Sequence, residues 1–218
     1  MRIVNNGWIR SPFEYYDIER GAVAILGNGP TLNDFQLDKL SIPTIGVNRS
    51  YKKVKSKYHC FVTPRILNSV LAGWLRGTGA IFCPRDAFVL NRPIATSDPG
   101  HSHWGNVGIP YVPVDNNWDG PFHYDLTNSV NASFGGILGI ITAMWLGYRD
   151  LYLIGFDGDG RHFYDEETHP DVYGQQVVVL KQLRTWLDNH PTFRVYQTNL
   201  VSRFNFFDVS ALPPSGGS

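Results

Sequence analysis

Ala22-Val23-Ala24-Ile25-Leu26-Gly27-Asn28-Gly29-Pro30-Thr31-Leu32 runs five small or branched apolar residues straight into a turn of Gly, Asn and Pro. A short continuous apolar run stopped by turn residues predicts a strand buried on both faces, the kind a parallel sheet uses. The pattern recurs at 43–47, 58–62, 80–83, 111–114, 151–154 and 193–196. Between these runs the apolar residues fall at helical spacing. A short helix is expected at 32–40, and one after Thr63-Pro64 on Ile66, Val70, Leu71 and Trp74. Longer helices are expected over 133–146 and over 175–187, the last on Val178, Leu180, Leu183 and Leu187. Strand and helix in alternation build βαβ units, so the chain predicts an α/β, Rossmann-like fold: a mostly parallel sheet flanked by helices. One domain over 1–212 is expected, with an irregular, lid-like insertion over 84–129 and a disordered tail over 213–218.

Composition narrows the class. The chain has 218 residues, 19 Lys+Arg against 19 Asp+Glu, and is 17% charged, where about 25% is usual. That balance excludes a polybasic nucleic-acid footprint. Hydrophobic residues at 43% and aromatics at 14% can bury enough apolar surface to offset chain entropy, which excludes a disordered chain. Cys60 and Cys83 both sit in apolar runs, as buried thiols of a reduced, cytoplasmic protein would. The opening Met1-Arg2-Ile3-Val4-Asn5-Asn6 has no apolar core of a secretory signal. The uncharged stretch 126–148 reaches membrane-span length, but Asn128, Ser129, Asn131, Ser133 and Thr142 interrupt it, so no membrane span is expected. Nothing fixes the oligomeric state, and a homo-oligomer stays open.

In an open parallel sheet, ligands bind beyond the carboxyl ends of the strands, near the switch in strand order. The strand ends here carry Gly27-Asn28-Gly29-Pro30-Thr31, Asn48-Arg49-Ser50, Thr63-Pro64-Arg65 and Gly155-Phe156-Asp157-Gly158-Asp159. Glycines in the first turn let the backbone approach a phosphate or ribose closely, although a plain strand-to-helix turn would look the same. The turn is no P-loop, having no Gly-Lys-Ser/Thr, and it lacks the G-x-G-x-x-G spacing. Asn131-Ala132-Ser133-Phe134-Gly135-Gly136 offers bare N–H groups at a helix start. It suits either an anion or close packing with Ser133 as cap.

The loop from Asp157 to His169 holds Asp157, Asp159, Arg161, His162, Tyr164 and His169, enough for a general base, a phosphate contact or a divalent cation. Asp157 is its strongest candidate because it follows an apolar strand directly. Asp165, Glu166 and Glu167 read as exposed. His101 and His103 form either part of a metal site or part of a lid. Trp104, Trp118, Phe122 and Tyr124 would either stack on a sugar or base or form a satellite core.

Three blocks carry a family likeness: residues 25–32 (Ile25-Leu26-Gly27-Asn28-Gly29-Pro30-Thr31-Leu32), Asn48 after the second strand, and residues 146–157 ending Leu153-Ile154-Gly155-Phe156-Asp157. In this order they resemble the bacterial lipooligosaccharide sialyltransferases, which use CMP-sialic acid, and the 6-hydroxymethylpterin pyrophosphokinase-like family. The first resemblance implies a metal-independent glycosyltransferase taking a nucleotide-sugar donor and a glycan or other small-molecule acceptor. Asn28 and Asn48 would hold ribose and phosphates, with Gly27, Gly29 and Pro30 shaping the same turn. Thr63 would stand at a family Asn position, and the Ser133, Gly135 and Gly136 turn would contact the cytosine or its phosphate. Tyr164 would bond the leaving phosphate, and His169 would be the general base.

Two departures stand out. Gly135 replaces a family Ser, and Asp159 replaces a second phosphate-binding Tyr, where a carboxylate repels a nucleotide unless a cation intervenes. The second resemblance instead implies a Mg²⁺-dependent phosphotransferase with Asp157 and Asp159 on the metal. A third reading is a non-catalytic glycan- or nucleotide-binding module on the same fold.

Overall fold

A computed structural model describes residues 3–5, 8–10, 21–61, 80–84, 111–114, 134–164, 173–199 and 202–213. Strands β1 (Ile3–Asn5) and β2 (Trp8–Arg10) pair as an antiparallel hairpin. The main sheet has eight strands: β3 (Ala22–Leu26), β4 (Thr44–Val47), β5 (Tyr58–Cys60), β6 (Ala80–Pro84), β7 (Tyr111–Val114), β8 (Asp150–Ile154), β9 (Arg194–Gln197) and β10 (Asp208–Val209). Their order is β10-β9-β8-β3-β4-β5-β6-β7, and every neighbouring pair is parallel. The fold is α/β and Rossmann-like.

The first sheet strand lies inside the sheet. From β3 the chain builds outward through β4 to β7, then returns to lay β8 against the other edge of β3 and continues through β9 to β10. The strand order therefore reverses between β3 and β8. Their register pairs Ala22 with Asp150 and Leu26 with Ile154, so Gly27 and Gly155 leave the sheet side by side.

Side-chain alternation along each strand divides the core in two. On one face Val23, Ile25, Ile45, Val47, Leu151 and Leu153 pack with Ile137 and Ile141 of helix α1 (Gly135–Trp145) and with Leu180 and Leu183 of helix α2 (Tyr173–Asp188). On the other, Ala24, Leu26 and Ile154 pack with Leu32 and Leu37. Covering both faces is what a parallel sheet requires. Each fully buried side chain such as Ile25 or Ile45 stabilises by about 1.5–3 kcal/mol. Helix α1 is apolar all round and buried from 135 to 144, as such a helix must be. Gly139 sets its distance from the sheet: a Cβ there would stand 2.9 Å from both Ile25 Cγ2 and Val47 Cγ2.

The expected helix over 32–40 is two 3-10 turns instead, Pro30–Asp34 and Leu37–Lys39, separated by Phe35 in extended conformation. Thr31, Asn33 and Asp34 are poor helix formers. Leu32 and Leu37, five residues apart, would also point about 140° apart on one helix, whereas the break at Phe35 lets both enter the same core cluster. The N-cap of α1 falls on Phe134 and makes no side-chain bond. The β1–β2 hairpin and β10 were not expected. The expected helix on Ile66 to Trp74 lies outside the described residues, as does the expected insertion, apart from Pro84 and β7. No helix among the described residues is long and apolar enough to cross a membrane.

Candidate functional site at the switch point between β3 and β8

The crevice beyond β3 and β8 is built on glycine. Gly27 N–H donates to the Ile154 carbonyl and Gly29 N–H to the Gly155 carbonyl, each at 2.8 Å, stitching the two strand ends together. A Cβ on Gly27 would overlap the Gly155 carbonyl oxygen, and one on Gly29 would overlap the Asp157 carboxylate. Gly155 itself has φ +71°, open to glycine at no steric cost.

Asp157 ties three strand ends into one unit. The residue is 6% exposed, and both carboxylate oxygens accept hydrogen bonds. Oδ2 takes the Thr31 N–H at 3.0 Å, while Oδ1 takes the Thr31 hydroxyl and, at 2.5 Å, the Asn199 side-chain amide. Thr31 follows β3, Asp157 follows β8 and Asn199 follows β9. The Asp157 carbonyl also accepts the Arg203 N–H at 2.8 Å, and Ser202 Oγ bonds the preceding Phe156 carbonyl at 2.5 Å. A buried carboxylate is tolerable when its lone pairs are occupied in this way.

A second knot lies beyond β4. The Asn28 side-chain oxygen accepts the Arg49 N–H at 3.1 Å, which fixes the first turn against the second strand end. Asn48 has φ +49°, a left-handed conformation that Asn tolerates better than most residues. Its carbonyl accepts a bond from Nε2 of the fully buried His59 at 2.7 Å. A carbonyl can only accept, so Nε2 carries the proton. Burial pushes the His59 pKa down from 6.5 to about 4, against the opposing pull of that bond. The Asn48 side chain lies against Gly135, where a Cβ would stand 2.7 Å from its Nδ2 and 2.9 Å from its Oδ1. That oxygen is buried and accepts no bond from a described residue.

The segment 161–164 runs back against the first turn and the β4 end. Phe163 N–H donates to the Asn28 carbonyl at 2.8 Å. The Tyr164 ring stacks on His162 at 5.0 Å and meets the Arg49 guanidinium and the Lys52 ammonium, each 5.0 Å from its centroid. Asp159 is engaged by Arg161, with Nε donating to Oδ2 at 2.7 Å, the Arg161 N–H donating to Oδ1 at 3.0 Å, and Nη2 2.5 Å from Oδ2.

Gly27, Asn28, Gly29, Pro30, Asn48, Gly135, Gly136, Asp157, Asp159 and Tyr164 thus border the β3, β4 and β8 ends. Thr63, Ser133, His169, His101 and His103 lie outside the described residues. Asp157 and Asp159 do not fit a Mg²⁺ site as placed, because one carboxylate is saturated by three donors and the other is paired with arginine. Among the described residues no group of three His, Cys, Asp or Glu is disposed to hold a metal.

His59, Asn199 and Lys52 escaped the reading of the sequence, which held Arg49 only as part of the second strand end. Asn199 stands two residues beyond β9, where the strand-end rule would have found it. His59 is the one strongly polar residue in Tyr58-His59-Cys60-Phe61-Val62.

No protein-family model matches the chain, and neither does any curated protein. Among solved structures, the sialyltransferase CstII from Campylobacter jejuni in complex with a substrate analogue, cytidine-5'-monophosphate, aligns with a TM-score of 0.52 at 15% identity, over 90% of this chain and 86% of that one. The same sialyltransferase in complex with a trisaccharide acceptor and CMP aligns with a TM-score of 0.50 at 15% identity, over 90% and 88%. At such identity the likeness is one of fold.

Proposed function

We propose that the chain is a glycosyltransferase that uses a nucleotide-sugar donor of the CMP type, bound in the crevice at the β3–β8 switch point. One observation carries this reading: the first turn, the Asn48 corner and Tyr164 meet at one crevice, joined by the Asn28–Arg49 and Asn28–Phe163 bonds. The fold shared with a sialyltransferase solved with CMP supports it.

In this reading Asn28 and Asn48 hold ribose and phosphate, the Gly135–Gly136 start of α1 contacts the cytosine or its phosphate, and Tyr164 bonds the departing phosphate. Thr63 and Ser133 complete the nucleotide contacts. The acceptor hydroxyl oxygen forms a bond to the anomeric carbon as the bond from that carbon to the phosphate oxygen breaks. The electron pair leaves with the nucleotide. His169 takes the hydroxyl proton as general base, which an imidazole near neutrality can do. Asp157 acts at a distance, holding Thr31 and hence the first turn in register with β8.

The test is a panel of CMP- and UDP-sugars read by thermal shift and by donor hydrolysis. Stabilisation by a CMP-sugar, with slow release of CMP, is expected. No shift and no hydrolysis with any donor would leave the non-catalytic binding module as the better reading.

A further inference from the structure

Five of the nine residues from 49 to 57 are cations, namely Arg49, Lys52, Lys53, Lys55 and Lys57, and none is acidic. The chain as a whole has net charge +0, so this cluster stands against a neutral background. Arg49 and Lys52 are each 5.0 Å from the centroid of the same Tyr164 ring, and Lys53 is 5.9 Å from the neighbouring Phe163 ring. Two cations so close to one ring stand within about 10 Å of each other, a Debye length at 0.1 M salt. Their repulsion is offset only in part by the ring quadrupole. No carboxylate among the described residues lies within ion-pair distance of Arg49, Lys52, Lys53 or Lys55. By contrast, Arg161 on the facing segment is matched by Asp159. Among the described residues, the cations on the β4 side of the crevice have no carboxylate partner, whereas Arg161 across from them has one.

The backbone holds this pair in place. Arg49 N–H is fixed by the Asn28 side chain and Asn28 carbonyl fixes Phe163 N–H, so cations and ring are carried on segments bonded to one residue. We propose that Arg49 and Lys52, braced on Tyr164, form an oxyanion site that receives a phosphate or carboxylate group of a substrate. A guanidinium and an ammonium carried on one ring suit such a group, one as a planar fork and the other as a point charge. The oxyanion comes either from the donor's phosphate or from an acidic acceptor sugar. Only that choice of source rests on the glycosyltransferase reading; the site itself rests on the cations and the ring.

The test is calorimetry with four probes, inorganic pyrophosphate, CMP, cytidine and trigalacturonate, on the full chain and on the Arg49→Gln/Lys52→Gln double variant. Lys55→Gln serves as a control for diffuse charge. Pyrophosphate is expected to bind the parent chain, more weakly as salt rises, and to lose tenfold or more in affinity in the double variant. Lys55→Gln should change it by less than twofold. If CMP weakens with pyrophosphate while cytidine does not, the donor phosphate is the source. If trigalacturonate weakens while CMP does not, an acidic acceptor is the source.

The proposal is overturned if neither anion binds the parent chain, if the double variant binds them unchanged, or if Lys55→Gln costs as much as the pair. A double variant that melts earlier yet binds unchanged would show that the cations only clamp Tyr164, and would also overturn it. Pyrophosphate binding that depends on the pair, with no binding of CMP or cytidine, would uphold the oxyanion site while removing the nucleotide reading.

Discussion

Nε2–H of His59 donates to the main-chain carbonyl of Asn48 at 2.7 Å, and Asn48 is the one non-glycine residue of the described chain with positive φ. A buried imidazole thus holds the β4 corner in a conformation that costs about 1 kcal/mol. In the proposed reading Asn48 contacts the nucleotide, and the fully buried His59 would position it from beneath.

Replacing His59 separates these roles. His59→Ala leaves the Asn48 carbonyl without its donor and opens a cavity, for a loss of about 2–4 kcal/mol in urea unfolding. His59→Gln can place an amide N–H near the position of Nε2 and should recover most CMP affinity. His59→Asn, too short to reach, should not. Equal CMP affinity in all three would contradict the positioning role.

The same residue sets a pH dependence. Its folded pKa of about 4 lies below the ordinary 6.5, so between these values the unfolded chain binds a proton that the folded chain does not. Its contribution is complete above pH 6.5 and lost as pH falls towards 4, by about 3 kcal/mol in all. The stability gap between the parent chain and His59→Gln should narrow across that window. A gap constant from pH 7 to pH 4.5 would be inconsistent with a buried neutral imidazole.

Asp157→Ala strands the Thr31 N–H and the Asn199 amide. At about 1–3 kcal/mol for each of these two donors, about 2–6 kcal/mol in all, the melting temperature should fall by about 4–24 °C. Asn199→Ala should cost less. A double-mutant cycle between the two should return a coupling of about 1–2 kcal/mol, and a coupling near zero would separate Asn199 from the knot.

Gly135→Ser tests the corner from the helix side. A Cβ at 2.7 Å from Asn48 Nδ2 and from Val47 Cγ1 must displace one of them. CMP affinity should fall about tenfold, with a stability loss of about 1–3 kcal/mol from overpacking. Unchanged affinity would mean that Asn48 does not need its present position.

If transfer proceeds without a metal, EDTA leaves the rate unchanged and His169→Ala lowers it by about 10²–10⁴-fold. Loss of activity on chelation, restored by Mg²⁺, would favour the phosphotransferase reading instead.

Much of the frame was legible because parallel strands buried on both faces write themselves as unbroken apolar runs. Ala22–Leu26 and Tyr111–Val114 fall where the pattern put them, and Asp150–Ile154 differs by one residue. What failed was non-local. Residues 32–40 look helical in apolar spacing, but Leu32 and Leu37 must share one face, which breaks the segment into two 3-10 turns. The two-residue β10 leaves no periodicity to read. Asp157 was legible as a strand-end carboxylate, whereas its saturation by Thr31 and Asn199, 126 and 42 residues away, depends on the register of three strands. The oxyanion pair was hidden by the net neutrality that excluded a polybasic protein.

A nucleotide bound in the β3–β8 crevice, as proposed, would shield the segments around it from solvent, which hydrogen exchange resolved by peptide reads with and without CMP. Slowed exchange is expected in the segments 27–32, 46–52 and 155–164 together, with none over 184–190 at the far end of α2 and just beyond it. Slowing confined to other segments, or no slowing at CMP concentrations that saturate a sialyltransferase, would contradict it.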